Sequence, residues 1–216
     1  MNIIIERFEK IKANILNFKQ NYNTNIVAVS KTFSIDHINP LILHGHNHFG
    51  ENKVQEAEKK WSDIKLKNKD IQLHMVGSLQ SNKARKAVEV FDYIHSLDNE
   101  KLARALSNHE KKINKNLKYF IQVNIGAELQ KSGVKISNLN NFFNLCVKDF
   151  NLNIIGLMII PPNDDNTEMY FDNISKLNSS LNLKDLSMGM SQDYQLALKY
   201  NSTFVRIGSA IFGERS

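Results

Sequence analysis

The stretch Ile26-Val27-Ala28-Val29-Ser30-Lys31-Thr32 decides how the chain is read. Five residues of β-branched and small character, 26–30, describe a short buried strand. A lysine at the exit of such a strand sits at the mouth of a barrel or sheet, partly shielded from water. Desolvation favours the neutral amine, and a neutral amine is a nucleophile toward aldehydes. Taken alone, the same pattern also describes any strand that ends in a solvated lysine.

Working outward, the pattern repeats. Short apolar runs at 26–30, 46–49, 72–76, 93–95, 119–124, 153–158, 185–187 and 203–207 read as strands. Helical spacing fills the intervals at 35–44, 54–64, 82–91, 100–112, 136–149, 169–181 and 193–200, and a last short helix follows Ser209. Ile4, Phe8, Ile11, Ile15 and Phe18 fall three and four residues apart, the stripe of an amphipathic opening helix. Eight strands, each followed by a helix, predict an α/β fold closed as a single (β/α)8 TIM-like barrel with an extra N-terminal helix. A doubly wound open sheet is the alternative. The 216 residues, 42% hydrophobic, suffice for one full core, and no proline- or glycine-rich linker divides them. One domain over residues 1–216 is expected.

Barrels of this kind carry their chemistry at the C-terminal ends of the strands, with phosphate often held after strands seven and eight. Here those positions hold Lys31, Asn52, Met158, Ser187, Met188, Gly208 and Ser209. The first and eighth strands are neighbours in a closed barrel, so Lys31 and Gly208-Ser209 are expected at one site. Glycine allows close backbone approach to a phosphate, and Ser187 can add a hydroxyl. An ordinary helix cap is the competing reading of Gly208-Ser209. Arg206 reads as a donor to a pyridine nitrogen or as a surface ion pair. Asn52, at a strand-to-helix turn, reads as a ligand donor or as a cap. Amine, phosphate cradle and arginine together suggest pyridoxal 5'-phosphate (PLP).

Other classes fit less well. The formal charge is +6, but the lysines lie on stretches such as Lys59-Lys60 and Lys111-Lys112 without interleaved aromatics, so no nucleic-acid partner is expected. Cys146, the one cysteine, sits among Phe142, Phe143, Leu145 and Val147, and reads as an inert buried thiol. His44, His46 and His48 lack a further ligand at useful spacing, so no metal is expected. Gln130-Lys131-Ser132-Gly133 has no preceding GxxxxGK and is not a P-loop. Glu6, Arg7, Glu9 and Lys10 interrupt the N-terminal apolar residues, and no segment is long enough to span a bilayer. A cytoplasmic protein without membrane contact is expected.

The chain resembles the YggS/PROSC family of PLP homeostasis proteins, of the alanine racemase N-terminal-domain fold. The matching stretches run in order along nearly the whole chain: Ala28-Val29-Ser30-Lys31-Thr32, Phe49-Gly50-Glu51-Asn52, His74-Met75-Val76-Gly77, Leu79-Gln80-Ser81-Asn82-Lys83 and His95-Ser96-Leu97-Asp98, then Leu186-Ser187-Met188-Gly189-Met190-Ser191 and Val205-Arg206-Ile207-Gly208-Ser209-Ala210. The resemblance implies PLP bound as an internal aldimine on Lys31. Ser187, Gly208 and Ser209 would hold the phosphate with the Met188 backbone nearby, Arg206 would face the pyridine nitrogen, and Asn52 would lie beside the cofactor. Ser78 stands where the family often has proline, Lys53 where an aromatic or arginine is common, and the loop after Pro161-Pro162 is short.

The implied role is a monomeric carrier that buffers PLP or delivers it to PLP-dependent apo-enzymes, with no catalytic residues. A racemase of the related group is the alternative, and a Schiff-base aldolase acting on a sugar phosphate without PLP is a third reading. Racemisation needs a base on each face of the cofactor. The racemases resembled take a second base, a tyrosine, from an added β domain. The chain stops at Ser216, directly after the last barrel segment, and Tyr194 and Tyr200 fall on a predicted outer helix, so no racemase turnover is expected.

Overall fold

The 26–30 run forms β1 (Asn25–Val29), lying between β2 (His48–Glu51) and β9 (Phe204–Ile207) and parallel to both. Burial on both faces is why it shows no polar alternation. Ile26 and Ala28 pack outward beneath the helices, whereas Val27 joins Tyr93, Phe120, Met158 and Phe204 inside. The structure is a computed structural model that describes residues 2–18, 24–126 and 132–214.

The remaining strands are β3 (Gln72–Met75), β4 (Tyr93–Leu97), β5 (Lys118–Asn124), β6 (Val134–Lys135), β7 (Ile154–Met158) and β8 (Asp185–Ser187). Their order is β4-β3-β2-β1-β9-β8-β7-β5, and β4 pairs with β5 to close the ring. All pairings are parallel. The expected barrel is therefore present, and the open sheet is not. β6 only extends the end of β5, pairing Val123 with Val134. Gln130 and Lys131 lie outside the described residues.

The helices are α1 (Ile3–Leu16), α2 (Ile35–Leu43), α3 (Val54–Lys67), α4 (Ala84–Val90), α5 (Glu100–Ile113), α6 (Leu139–Asn144), α7 (Thr167–Ser180), α8 (Tyr194–Lys199) and α9 (Ser209–Phe212). α1 buries the expected stripe, Ile4, Phe8, Ile11 and Ile15, and packs against α2, α8 and α9 across the β1–β9 seam. Asn2 and Asn99 cap α1 and α5 by accepting from the N–H groups of Ile4 and Leu102, both at 2.9 Å. The helix expected at 136–149 is not continuous. A 3-10 turn leads into α6, and a π turn follows at Leu145–Asp149. The wider turn leaves Phe142, Cys146 and Phe150 all buried.

At Gly156, β7 and β8 approach closely. A Cβ there would lie 1.9 Å from the carbonyl oxygen of Asp185 on β8, so the two strands pair only because no side chain stands between them. Gly156→Ala is expected to destabilise the fold by about 3 kcal/mol, the upper end of overpacking costs. A urea midpoint equal to that of the parent chain would contradict this.

Candidate functional site

β1 ends at Val29, and the next three residues turn sharply. Ser30 N–H donates to Gly50 O at 2.9 Å, and Phe33 N–H donates back to Ser30 O at 3.2 Å. Between them, Thr32 takes φ +70, a left-handed conformation that a β-branched residue rarely adopts. A buried polar cluster holds this turn. The Glu51 carboxylate, fully buried, accepts through Oε1 from Ser30 Oγ (2.8 Å), Lys60 Nζ (2.9 Å) and Trp61 Nε1 (3.0 Å). Lys60 Nζ also donates to Ser30 O at 3.0 Å, and Glu56 Oε1 accepts the Thr32 N–H at 2.7 Å. The residue presented by this turn is Lys31, half-buried.

Lys31 opens onto a cavity of about 840 Å³ at the C-terminal ends of the strands. Val29, Val76, Arg206, Gly208 and Ser209 share its wall, and the segments 160–163 and 190–193 also line it. The register explains the meeting of the chain's two ends: Val27 pairs with Arg206 and Ala28 with Ile207. Arg206 is almost wholly buried. Its Nη1 donates to Ser187 Oγ at 2.6 Å, and its Nη2 donates to Ile159 O at 2.8 Å. Burial pulls its pKa down to about 10, with the Asp193 carboxylate acting in the opposite direction.

Lys31, Arg206, Gly208 and Ser209 therefore come together as the sequence predicts. Asn52 stands behind the wall, packed against Gly77, and its Oδ1 is buried without a partner. Three further expected residues do not line the cavity. Ser187 is fully buried and faces the barrel interior, where its hydroxyl meets Arg206 and His95. The Met188 N–H donates to Phe204 O, and its carbonyl accepts from Ser202 Oγ, so its backbone is spent inside the sheet. Met158 belongs to the interior cluster with Val27 and Phe120. Sequence reasoning missed Ser191. After β8 the chain reverses at Gly189 (φ +91), which returns Ser191 to the cavity, where its Oγ accepts the Ala210 N–H at 3.3 Å.

Tyr194 and Tyr200 do not line this cavity. The Tyr194 hydroxyl accepts from Asn14 Nδ2 at 3.0 Å, and that of Tyr200 donates to Glu168 at 2.7 Å. Burial pushes the Cys146 thiol up to about 12, which leaves it protonated and unreactive at neutral pH. His46 lies in the loop before β2, its Nε2 2.8 Å from His48 O, and burial pulls its pKa down to about 4. Among the described residues, no helix is long and apolar enough to cross a membrane.

Comparison with known proteins adds a family to this geometry. The family model for the alanine racemase N-terminal domain matches residues 7–216. A pyridoxal phosphate homeostasis protein of Vibrio cholerae serotype O1 is 37% identical over 230 aligned positions, covering 100% of this chain and 98% of that one. Among solved structures, PipY of Synechococcus elongatus PCC7942, with PLP bound, superposes with a TM-score of 0.86 at 32% identity, covering 97% of this chain and 100% of PipY. The alanine racemase of Corynebacterium glutamicum shares the fold at a TM-score of 0.75 and 18% identity. That match covers 99% of this chain and 60% of the racemase.

The cluster beneath Lys31 generates a stability prediction. Lys60→Met leaves the Glu51 carboxylate buried beside only neutral donors, and removing one partner of a buried pair costs roughly 3–5 kcal/mol. The double variant Lys60→Met/Glu51→Gln removes the stranded charge and is expected to recover part of that loss. Denaturant titration of the two variants checks this, and equal stability of Lys60→Met and the parent chain would refute it.

Proposed function

The chain belongs to the pyridoxal phosphate homeostasis proteins of the alanine racemase N-terminal domain family, and from that membership we propose that it holds PLP in the cavity between Lys31 and Arg206. The observation that carries the reading is the convergence of an amine, a guanidinium and two serine hydroxyls on one cavity. The donor set fits the chemical groups of the ligand. PLP presents an aldehyde, a phosphate and a pyridine nitrogen, and the cavity offers a counterpart to each. When bound, PLP supplies a carbonyl carbon that captures amines and a ring that can accept electron density.

Lys31 supplies the amine that secures the aldehyde, and the clamped turn fixes where that amine stands. Ser209 and Ser191 supply hydroxyl donors to the phosphate, beside the close backbone approach that Gly208 allows. Arg206 uses two of its five N–H groups inside the barrel and has others for the pyridine nitrogen. As a cation that keeps its proton at neutral pH, it donates a hydrogen bond without protonating that nitrogen. Asn52, with its unpartnered Oδ1, supports the ligand from behind the wall. Ser187 acts on Arg206 rather than on the phosphate.

The role is custody of PLP, buffering it and delivering it to PLP-dependent apo-enzymes, by a monomer and without turnover. Racemisation would need a second base facing Lys31. Among the described lining residues, the ionisable groups besides Lys31 and Arg206 are Asp193 and Glu214. Asp193 accepts the Met190 N–H through Oδ1 at 2.5 Å, which holds its carboxylate toward its own loop.

The absorption spectrum of the purified protein with added PLP, followed by borohydride reduction and peptide mapping, tests the reading. Label on Lys31 is expected, and label on another lysine would overturn the assignment. Lys31→Ala is expected to lose the covalent link while keeping some PLP. Ser209→Ala is expected to weaken retention by about 1.5–3 kcal/mol, one hydrogen bond to a charged group, and unchanged affinity would remove it from the phosphate site. Stereospecific alanine racemisation by the pure protein would refute the absence of turnover.

A further inference from the structure

A chain of hydrogen-bonding groups crosses the barrel behind Arg206. Arg206 Nη1 reaches Ser187 Oγ at 2.6 Å, and Ser187 Oγ lies 2.8 Å from His95 Nδ1. His95 Nε2 lies 2.9 Å from His74 Nδ1, and His74 Nε2 lies 2.9 Å from His48 Nδ1. His48 lines a second cavity, of about 630 Å³, with His46, Gln72, Tyr93 and Lys118 at the opposite mouth. The chain thus runs from the Lys31 cavity to solvent on the other side through β9, β8, β4, β3 and β2. Its surroundings are apolar and aromatic. His74 stacks on Tyr93 (4.2 Å between centroids, 16°) and His95 on Phe120 (4.4 Å, 28°).

The chain has one direction. Ser187, His95 and His74 are each 0% exposed, so their polar atoms find partners inside the protein or none. Arginine only donates, so Ser187 Oγ accepts from it. The acceptor within reach of the Ser187 O–H is then His95 Nδ1. With Nδ1 accepting, His95 carries its proton on Nε2 and donates to His74 Nδ1. By the same rule His74 donates from Nε2 to His48 Nδ1, and His48 presents its Nε2–H to the far cavity. The reverse direction aims the His95 Nδ1–H at Ser187 and strands the Ser187 hydroxyl proton. A second proton on either buried ring would set donor against donor.

We propose that His95, His74 and His48 are positioning residues for Arg206, a one-directional spine of Nε2–H imidazoles that makes the guanidinium's setting in the cavity depend on an acceptor at the far mouth. The electrostatics agree. Burial, then the charge of Arg206, holds His95 well below the ordinary histidine range, and burial, then His95 and His48, does the same to His74. His48 is lowered by burial and by Lys118, against the pull of Asp92. The spine itself does not depend on which ligand the cavity takes, whereas the binding arm of its test rests on the PLP reading.

Ring ¹⁵N NMR of histidine-labelled protein, before and after PLP is added, tests the proposal. In the parent chain the three rings are expected to show Nε2–H tautomers, and the buried His95 and His74 no titration over about pH 5–8, where an ordinary histidine changes charge. His48→Asn keeps an amide oxygen where Nδ1 stood, and is expected to leave the His95 signals and PLP affinity in place. His48→Leu removes that acceptor. The His95 signals are expected to shift, two links from the substitution, with a several-fold loss of PLP affinity at unchanged folded-state spectra. An Nδ1–H form or ordinary titration of His74 or His95 would overturn the spine. His95 signals that ignore His48→Leu, or equal PLP affinity of the two His48 variants, would overturn the positioning role. Failure of the parent chain to bind PLP would fall on the cavity reading, while the ring signals still decide the spine.

Discussion

A guanidinium buried at the top of a barrel, with no carboxylate among the described residues hydrogen-bonded to it, is the constraint from which the rest of the site follows. Arg206 is 5% exposed, and its hydrogen-bond partners are a hydroxyl and a main-chain carbonyl. A buried cation is tolerated only where acceptors are already in place. β8 supplies one by turning Ser187 inward, and the chain just past β7 supplies the other at Ile159. Ser187 in turn needs somewhere to send its own proton, which sets the tautomer of His95 and, through it, of His74. Packed barrel interiors are usually filled by layers of branched aliphatic side chains. Here imidazoles alternate with aromatic rings, and the polar atoms of one residue define the partner required of the next.

The amine at the other end of the sequence is held by a different device. Lys31 stands on a turn whose left-handed Thr32 would relax if nothing gripped it. Glu56 holds the Thr32 N–H, and Lys60 bridges Ser30 O to Glu51. α3 therefore reaches across to fix a loop that belongs to β1. Parallel register does the rest: once Val27 lies against Arg206, amine and guanidinium share a cavity wall whatever their distance in sequence. Positions on rigid strands, locked by a supporting layer, hold geometry more closely than mobile loops do.

How much of this was legible in the sequence depends on the kind of signal. The eight barrel strands were visible because buried parallel strands are short apolar runs set between helical periodicities. β6 was not, since two residues carry no period. The π turn at 145–149 was invisible because its residues keep helical spacing. Counting residues beyond a strand puts Ser187 at the cavity, whose lining does not include it. Along β8, Asp185 and Ser187 share one face while Leu186 takes the other, so Ser187 looks into the interior rather than at the cavity above. The reversal at Gly189 that carries Ser191 to the cavity needs three dimensions to be seen. The histidine spine is hidden for a related reason. His48 pairs with Gln72 and His74 with Tyr93, so each successive histidine sits two residues further along its strand. Only barrel shear brings that staircase into one line of contacts.

These two anchors also bear on why such a pocket would keep PLP rather than use it. Strong electron withdrawal needs a pyridine nitrogen that carries a proton, and a carboxylate partner is the usual means of keeping one there. Arg206 is a donor that gives up its proton only near pH 10, so in the proposed geometry it leaves that nitrogen unprotonated. The spine behind it is uncharged and points its donors away from the cavity, so it brings no acid to the site. Among the described residues, the acids that share the cavity lining with Lys31 are Asp193, which accepts a main-chain N–H through Oδ1, and Glu214. In the proposed geometry such a site would bind the aldehyde through one amine, fix the phosphate with neutral hydroxyls and keep the ring electronically quiet. Each of those properties lowers the chance of side reactions at the bound ligand, and none of them accelerates a reaction at a substrate carbon.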